Sequence, residues 1–586
     1  MKNRLYSLCG KIVNPVSENP IYFSSLCIIL LFPVFIFYLS SNDWQYLVLA
    51  VVVNCILAYL LCLLYQLFNK SRAVSSLTFF VSGILCVVEG YMAFMFGTLF
   101  SATTLQMILE TNPNEASGFF ISYCLTTKCL IYCLIVFWLA LCLFYANRHL
   151  NSWCILVRSN TLLCLFACII GVSGAIYISR DIRAIPVRRI SDKQMMLEKL
   201  SRLKFSANYT PFGRLCYSFH LYYYQADEIN QLSKILSQDH TVVRTHLVEN
   251  VVVVLGESFN KYHSSLYGYP HATNPLLEEE KLNNNLYLFG DVVAPYNYTH
   301  HCLKKILSFA SQDQTLQWYE APLFPALFKS AGYESLFISN QEVKGQDTWA
   351  FDFVNNYLIS DKTAPFLFNK TNETKQQFDL CLVHNAAGWL NGHPQLWIYH
   401  LLGQHSNYTD RYPTNEQVFT MAFYADRTDL SDAQKQGVAH YDNATRYNDK
   451  VVAAILDQFR DKDAIVIYLS DHGEEVYDYR DHMGRSHEPI VTPERAKYQF
   501  EVPFMIWMSD KYKENHPDVV AQVERSVDRP FMIDDLPHLM LDLAGIECEW
   551  FDPTRSVIND QFNEKRKRLL LDSKQDYDVI MGRRND

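Results

Sequence analysis

Acidic and imidazole side chains stand at the ends of three short apolar runs that read as β-strands. The side chains are Glu257, His405, Asp471 and His472, and the runs are 251–255, 396–401 and 465–469. A single carboxylate in such a place is weak evidence, because Asp and Glu often cap the helix that follows. Three such ends together predict a metal site. Oxygen and nitrogen ligands suit zinc or manganese better than calcium, which prefers oxygen alone.

A catalytic zinc has three protein ligands and one open position. Glu257, Asp471 and His472 supply three ligands, and Thr299 is the candidate nucleophile for the open position. A turn precedes Thr299 and a helical pattern follows it. Threonine at a helix start is usually a cap. The same position would stabilise an alkoxide or a phosphate through free N–H groups and the helix dipole, and metal coordination would lower the pKa of the hydroxyl.

These residues require a sheet that brings strand ends together. From about residue 247 the chain alternates β-rich runs with helical patterns, which predicts a mostly parallel sheet covered on both faces. Ligands bind outside the carboxyl ends of such strands. The remaining strand candidates are 335–338 and 504–508, and the helix candidates are 303–311, 322–331 and 443–460.

The N-terminal part is predicted to cross a membrane. Its long apolar stretches each approach or exceed the ~20 residues that a helix needs to span the hydrocarbon. They cover about 21–39, 46–68, 74–100, 119–146 and 159–179. Basic residues flank the first, third and fifth stretches on one side only, which predicts a cytoplasmic N-terminus. Five spans then place the rest of the chain on the outer side.

Charge divides the 586 residues in the same way. Residues 1–180 carry 9 Lys/Arg and 5 Asp/Glu, whereas the remainder carries 42 and 56, so the net charge of −10 describes neither part. The acidic remainder argues against a nucleic-acid binder. Only four of the 16 cysteines lie after residue 170, and the sequence leaves their pairing open; they are Cys216, Cys302, Cys381 and Cys548.

Several short motifs occur in a characteristic order. They are Gly256-Glu257-Ser258, Leu266-Tyr267-Gly268-Tyr269-Pro270, Tyr298-Thr299, His400-Leu401-Leu402-Gly403-Gln404-His405 and Ser470-Asp471-His472-Gly473-Glu474. With the preceding spans, the chain resembles the membrane phosphoethanolamine transferases of gram-negative bacteria, and most of all those that modify the lipopolysaccharide core. The resemblance implies an α/β/α sandwich of the alkaline phosphatase/sulfatase type after a five-helix transmembrane domain. Sulfate-ester hydrolysis is not expected, since the Cys/Ser-x-Pro-x-Arg motif of sulfatases is absent.

The resemblance also implies roles. Thr299 would attack the phosphorus of phosphatidylethanolamine, and the phosphoethanolamine would pass to a glycolipid acceptor. Glu257, Asp471, His472 and Thr299 would bind zinc, with manganese as the other metal considered. His405 and His482 would contact the phosphoryl group, bind a second metal or move protons, and His487 is the alternative to His482. Thr111 and Glu115 would contact the ethanolamine.

The expected organisation is a transmembrane domain (1–180), an interfacial linker (181–246) and a periplasmic catalytic domain (247–586) in the inner membrane. Two other functions stay open at this stage. One is a glycerol-phosphate transferase of the lipoteichoic acid synthase kind, which would share the spans, the fold and the threonine. The other is a non-catalytic receptor for a phosphorylated ligand, which would be expected to lack a metal ligand.

Overall fold

The computed structural model describes residues 15–16, 18–40, 47–96, 99–100, 104–105, 124–149, 210–343, 357–481, 483–485 and 490–584. The chain divides into two compact units, Met1–Gln225 and Ala226–Asp586.

The first unit is built from long apolar helices. Its helices are α1 (Pro20–Ser40), α2 (Leu47–Leu67), α3 (Arg72–Phe96) and α4 (Thr127–His149), and α5 (Pro211–Leu236) begins here. Among the described residues, α1 to α4 are long and apolar enough to cross a membrane. They confirm four of the predicted spans, and the fifth, 159–179, lies outside the described residues.

The charged side chains of Glu89 and Lys128 lie within the apolar windows of these helices, and both have partners in the first unit. Glu89 of α3 accepts a hydrogen bond of 2.5 Å from Nε of Arg214 in α5 and a second one from the same guanidinium. Both side chains are at most 2% exposed. Lys128 of α4 donates to the carbonyl of Met95 at 3.0 Å. A buried ion pair of this kind is costly to break, so Glu89 has a structural explanation.

The second unit is organised around a seven-stranded sheet. Its strands are β1 (Asn250–Gly256), β2 (Leu286–Leu288), β3 (Glu334–Ser339), β4 (Lys370–Thr371), β5 (Gln395–His400), β6 (Ala464–Ser470) and β7 (Phe504–Met508). The order across the sheet is β2-β7-β6-β1-β5-β3-β4. The five strands from β6 to β4 are parallel to one another, and β7 runs antiparallel to both of its neighbours, β6 and β2. The five predicted strands are confirmed.

Both faces of the sheet are buried, as expected where helices cover a parallel sheet. Along β1, Val251, Val253 and Leu255 join one apolar cluster, whereas Val252 and Val254 join the cluster on the opposite face. The second unit is therefore a mixed α/β/α sandwich, which confirms the predicted fold class.

Helices lie between the strands, and short two-residue strand pairs accompany them. The helices are α6 (Pro275–Leu282), α7 (Thr299–Leu307), α8 (Phe324–Ser330), α9 (Ala364–Leu367), α10 (Asp379–Ala386), α11 (Asp432–Phe459), α12 (Pro493–Phe500), α13 (Asp510–Asn515), α14 (Pro517–Ser526), α15 (Leu536–Leu543) and α16 (Tyr577–Ile580). The strand pairs are Val243–Arg244 with Ile546–Glu547, Val292–Val293 with Phe531–Met532, and Leu569–Leu570 with Gln575–Asp576.

The bounds of two predicted helices were wrong. Helix α7 covers Thr299–Leu307 rather than 303–311. Helix α11 begins at Asp432 rather than at 443, because Ser431 and Gln434 form a reciprocal capping box. That box satisfies free N–H groups at the helix start, so the polar segment before residue 443 is helical as well.

Candidate metal centre and nucleophile

The predicted metal ligands follow the carboxyl ends of the two central strands, β1 and β6, and therefore lie at one edge of the sheet. Strands β1 and β6 are parallel neighbours, and Gly256 pairs with Ser470 at their carboxyl ends. Glu257 and Asp471 are the next residues along each strand, so they emerge side by side. A Cβ atom at Gly256 would collide with the hydroxyl of Tyr468, which explains the glycine before Glu257.

Glu257, Asp471 and His472 form a compact buried cluster. One ligand atom from each lies within 4.8 Å of the others. Nε2 of His472 is 3.4 Å from Oε1 of Glu257 and 3.2 Å from Oδ2 of Asp471. Each of the three residues is at most 1% exposed. Two buried carboxylates this close to one another are unfavourable without a cation.

Backbone groups around this cluster engage Oδ1 of Asp471 and Nδ1 of His472, whereas a metal at Nε2 would displace the contact that this atom makes with Arg485. Oδ1 of Asp471 accepts backbone N–H groups from Ser258 at 3.2 Å and from His472 at 2.8 Å. Oδ2 accepts no hydrogen bond within the described part of the chain. Nδ1 of His472 lies 2.9 Å from the carbonyl of Gly473, and donation there leaves the lone pair on Nε2 for a ligand. The donor set therefore fits a divalent metal.

Electrostatics agree with this assignment. Burial, together with the positive charge of Arg485, lowers the pKa of His472 to about 4, so the ring is neutral and can act as a ligand at neutral pH. Burial and the nearby charge of Glu257 raise the pKa of Asp471 well above its usual range. A bound dication would remove the repulsion between the two carboxylates and favour ionised Asp471.

Thr299 lies at this cluster. It is the first residue of α7, and Tyr298 holds the N-cap position. Its hydroxyl donates to Oε2 of Glu257 at 2.9 Å and lies 3.2 Å from Nε2 of His472. The free N–H groups in the first turn of a helix favour an anion there. The structure thus brings a hydroxyl, a metal-ligand set and an anion-favouring helix end to one point.

The loop after β5 carries His405 to the same edge. Asp379 accepts the backbone N–H groups of Leu402 at 3.0 Å and Gly403 at 2.9 Å, which holds this loop in place. The backbone N–H of Gln404 donates to the carbonyl of Glu257 at 3.0 Å. Burial opposes ionisation of Glu257, but His472 and then His405 hold its pKa well below the usual range. His405 therefore lies on a loop that is hydrogen-bonded to the residue carrying a metal ligand.

Four other predicted site residues, Thr111, Glu115, His482 and His487, lie outside the described residues. Cys216, Cys302, Cys381 and Cys548 are all free thiols.

Two residues of the site were missed by sequence reasoning. Gln341 follows β3, and its Nε2 donates to Oε2 of Glu257 at 3.3 Å and to the carbonyl of Leu401 at 2.7 Å. Its place after a strand could have suggested it. Arg485 contacts Nε2 of His472, and its NH1 lies 3.7 Å from Oε1 of Glu257. Arg485 lies outside the strand-end pattern, so no sequence signal pointed to it.

A buried ionic network lies beneath the metal ligands. Nδ1 of His263 is 2.6 Å from Asp442, and Nε2 is 3.4 Å from Asp478. Tyr269, from the motif 266–270, donates to Asp442 at 2.7 Å. Next to Asp442 on α11, Tyr441 donates to the carbonyl of Ser258 at 2.7 Å. The motif therefore braces the segment that carries Glu257.

Comparisons with known proteins agree with this architecture. The Sulfatase family model matches residues 249–546. Phosphoethanolamine transferase EptC of Escherichia coli K12 is 29% identical over 515 residues, which is 83% of each chain. Kdo(2)-lipid A phosphoethanolamine 7''-transferase of the same strain is 29% identical over 289 residues, which is 47% of this chain and 48% of that protein.

A solved structure extends the likeness to three dimensions. The zinc complex of the C-terminal periplasmic domain of EptC from Escherichia coli is 30% identical, with a TM-score of 0.50. The match covers 58% of this chain and 96% of that domain. The chain therefore belongs to the sulfatase family, within its membrane phosphoethanolamine transferases.

Proposed function

We propose that this enzyme transfers phosphoethanolamine from phosphatidylethanolamine to a cell-envelope glycolipid, on the lipopolysaccharide core or on lipid A, through a covalent intermediate on Thr299. The observation that carries the proposal is the hydroxyl of Thr299 at the head of α7, 2.9 Å from Glu257 and 3.2 Å from His472. The names of the similar transferases support the transferred group and the kind of acceptor.

The reaction would proceed in two displacements. Oγ1 of Thr299 attacks the phosphorus of the donor, the bond from phosphorus to the glycerol oxygen breaks, and diacylglycerol leaves. The hydroxyl proton already points to Oε2 of Glu257, which gives it an acceptor. The departing glycerol oxygen takes up a proton, for which His405 and His482 are the candidate acids.

In the second displacement an acceptor hydroxyl or phosphate oxygen attacks the same phosphorus. The bond to Thr299 breaks and its oxygen regains the proton that Glu257 had accepted. The proton lost by an acceptor hydroxyl, or one from solvent when a phosphate attacks, restores the acid, so the enzyme returns to its starting state. The N–H groups at the start of α7 stabilise the charge on the phosphoryl oxygens in both steps.

The proposed metal is zinc, with manganese as the alternative. Glu257, Asp471 and His472 would hold it beside Thr299. When bound, such an ion lowers the pKa of a nearby hydroxyl and supplies positive charge at the phosphoryl group. The zinc complex of the similar EptC domain supports the choice.

The remaining parts of the proposal concern the membrane. We place the spans in residues 1–180, an interfacial linker in 181–246 and the catalytic domain in 247–586. The N-terminus is proposed to be cytoplasmic, with the catalytic domain in the periplasm, where a lipid headgroup is reachable without extraction from the bilayer. Thr111 and Glu115 are proposed to contact the ethanolamine, and His482, or alternatively His487, the phosphoryl group.

The test uses the full-length protein in vesicles of phosphatidylethanolamine with a purified lipopolysaccharide acceptor. Mass spectrometry follows the peptide that carries Thr299. We expect a mass increase of one phosphoethanolamine group before acceptor is added, and its loss afterwards. In Thr299→Ala we expect transfer to fall at least roughly 10³-fold, because the nucleophile is removed, while zinc content is retained.

Thr315→Ala is the matched control, since this exposed threonine lies away from the site. Unchanged transfer by Thr299→Ala would refute the covalent mechanism. Label transferred from phosphatidylglycerol, and not from phosphatidylethanolamine, would favour the glycerol-phosphate transferase. A complete lack of adduct and of transfer would favour the receptor.

A further inference from the structure

Arg485 places a positive charge inside the acidic cluster at the head of α7. Its NH1 contacts Nε2 of His472 and lies 3.7 Å from Oε1 of Glu257. Its Nε is 3.8 Å from Oε2 of Glu474, and its guanidinium lies 5.7 Å from the ring centroid of Tyr298. The side chain is 19% exposed. The guanidinium is thus largely withdrawn from solvent and held at the reacting point.

Pairing with carboxylates does not explain this position. Charge-assisted hydrogen bonds between nitrogen and oxygen measure about 2.7–2.9 Å, and arginine commonly forms two of them to one carboxylate. The distances to Glu257 and Glu474 are 3.7 and 3.8 Å. Neither carboxylate therefore forms the two short hydrogen bonds to the guanidinium that we would expect if Arg485 served only as a structural counter-ion.

The position does suit a ligand on Thr299. NH1 of Arg485 and Oγ1 of Thr299 both contact the same atom, Nε2 of His472. A phosphoryl group attached to Oγ1 would accordingly lie beside the guanidinium. Arginine is matched to phosphate because its planar donors can bind two oxygens at once.

Charge balance leads to the same conclusion. A divalent metal would only balance the charges of Glu257 and Asp471, so the site would have no net positive charge for the phosphoryl group. Arg485 supplies one positive charge at that point. Because the metal ligands are buried and Arg485 is largely so, an unpaired anion beside them would be costly.

We propose that Arg485 is a phosphate-binding residue of this site, whose guanidinium binds non-bridging oxygens of the phosphoryl group that Thr299 attacks. This inference rests on the proposed function for the identity of that group. Its direct consequence is that the zinc-loaded protein binds simple phosphate anions through Arg485.

The experiment measures the affinity of inorganic phosphate for the full-length, zinc-loaded protein in detergent by titration calorimetry, with zinc content determined in parallel. In Arg485→Gln we expect zinc content to be retained and the phosphate Kd to rise at least roughly tenfold, the range for loss of charge-assisted hydrogen bonds. Arg485→Lys should fall between, because it keeps the charge but lacks the fork. Arg525→Gln is the control, since Arg525 is 57% exposed and paired with Asp560 at the surface.

An unchanged phosphate Kd in Arg485→Gln would overturn the proposal, and so would loss of zinc in that variant, which would assign Arg485 to the metal site. If Arg485→Gln does not fold, Arg485→Lys decides: a wild-type Kd overturns the proposal and a weakened one supports it. Repeating the titration with Thr299→Ala separates the two hypotheses. If phosphate binding still depends on Arg485 in the Thr299→Ala background, the role of Arg485 holds even if the covalent mechanism is wrong. If the Thr299 adduct forms but phosphate binding does not depend on Arg485, only the role of Arg485 is refuted.

Discussion

His263 is a buried cation held between two carboxylates, and its replacement gives a sharp test of the structure. The side chain is 2% exposed, with Nδ1 2.6 Å from Asp442 and Nε2 3.4 Å from Asp478. Burial opposes protonation, but the two carboxylates outweigh it and raise the pKa of His263 from 6.5 to about 10. In His263→Gln the two acids would face each other without a cation.

The size of the effect follows from the pKa. Each pKa unit corresponds to about 1.4 kcal/mol, so protonated His263 contributes on the order of 5 kcal/mol relative to the neutral ring. Because the folded-state pKa lies above the unfolded one, this contribution is fully present below about pH 6.5. It then declines by about 1.4 kcal/mol per pH unit and is lost as the pH passes 10.

We therefore expect His263→Gln to lower the free energy of unfolding by roughly 3–5 kcal/mol at pH 7, as for other broken buried ion pairs. The difference from the wild type should shrink to within about 1 kcal/mol at pH 10. Denaturant unfolding of the full chain, followed by tryptophan fluorescence at pH 7, 8.5 and 10, measures this. His384→Gln, at an exposed histidine of α10, should have little effect. A difference that stays constant between pH 7 and 10 would refute the assignment of His263 as the protonated partner.

Two further predictions concern backbone and membrane-unit packing. Gly403 has a φ of +46°, and a Cβ there would lie 2.9 Å from the backbone nitrogen of Glu257. Gly403→Ala should therefore shift the Glu257 ligand. We expect its zinc affinity, measured by competition with a chelator, to be roughly 10–100-fold weaker. Gly388→Ala, where a Cβ meets nothing within 4 Å, is the control, and equal affinities in both variants would contradict the role of this close approach. Glu89→Leu should lower the thermal stability of the detergent-solubilised protein because it leaves Arg214 buried and unpaired, and adding Arg214→Leu should restore much of it; a double variant less stable than the single one would contradict the pairing.

The sequence predicted the strands and the convergence of their ends well. Apolar runs that end just before Glu257 and Asp471 gave both strand positions, and the rule that parallel strand ends form a site predicted that these two residues meet. Thr299 was predicted separately, from the turn before it and the helical pattern after it. These features depend on local pattern and on topology, which a sequence carries directly.

What the sequence could not give depends on contacts between distant segments. Nothing in the surroundings of His263 indicates that it meets Asp442 and Asp478, because one lies on α11 and the other in the segment after β6, and only the folded domain brings the three together. Arg485 is similar, since a lone arginine in a polar segment is usually solvated. The start of α11 is different: Ser431 and Gln434 carry the capping signal, but the segment is polar enough to hide the helix.

The positions of Glu257 after β1 and Asp471 after β6 also determine whether metal binding can precede folding of the domain. Ser258 and Asp471, which hydrogen-bond beside the ligands, are 213 residues apart in the chain. Closing a loop of that length costs an unfolded chain about 5 kcal/mol of entropy, which a few local contacts cannot offset. Asp471 and His472 alone would make a weak, two-ligand site. Tight metal loading must therefore wait until the central strands have paired, so bound metal reports a folded domain and chelation would loosen the last-formed part of it.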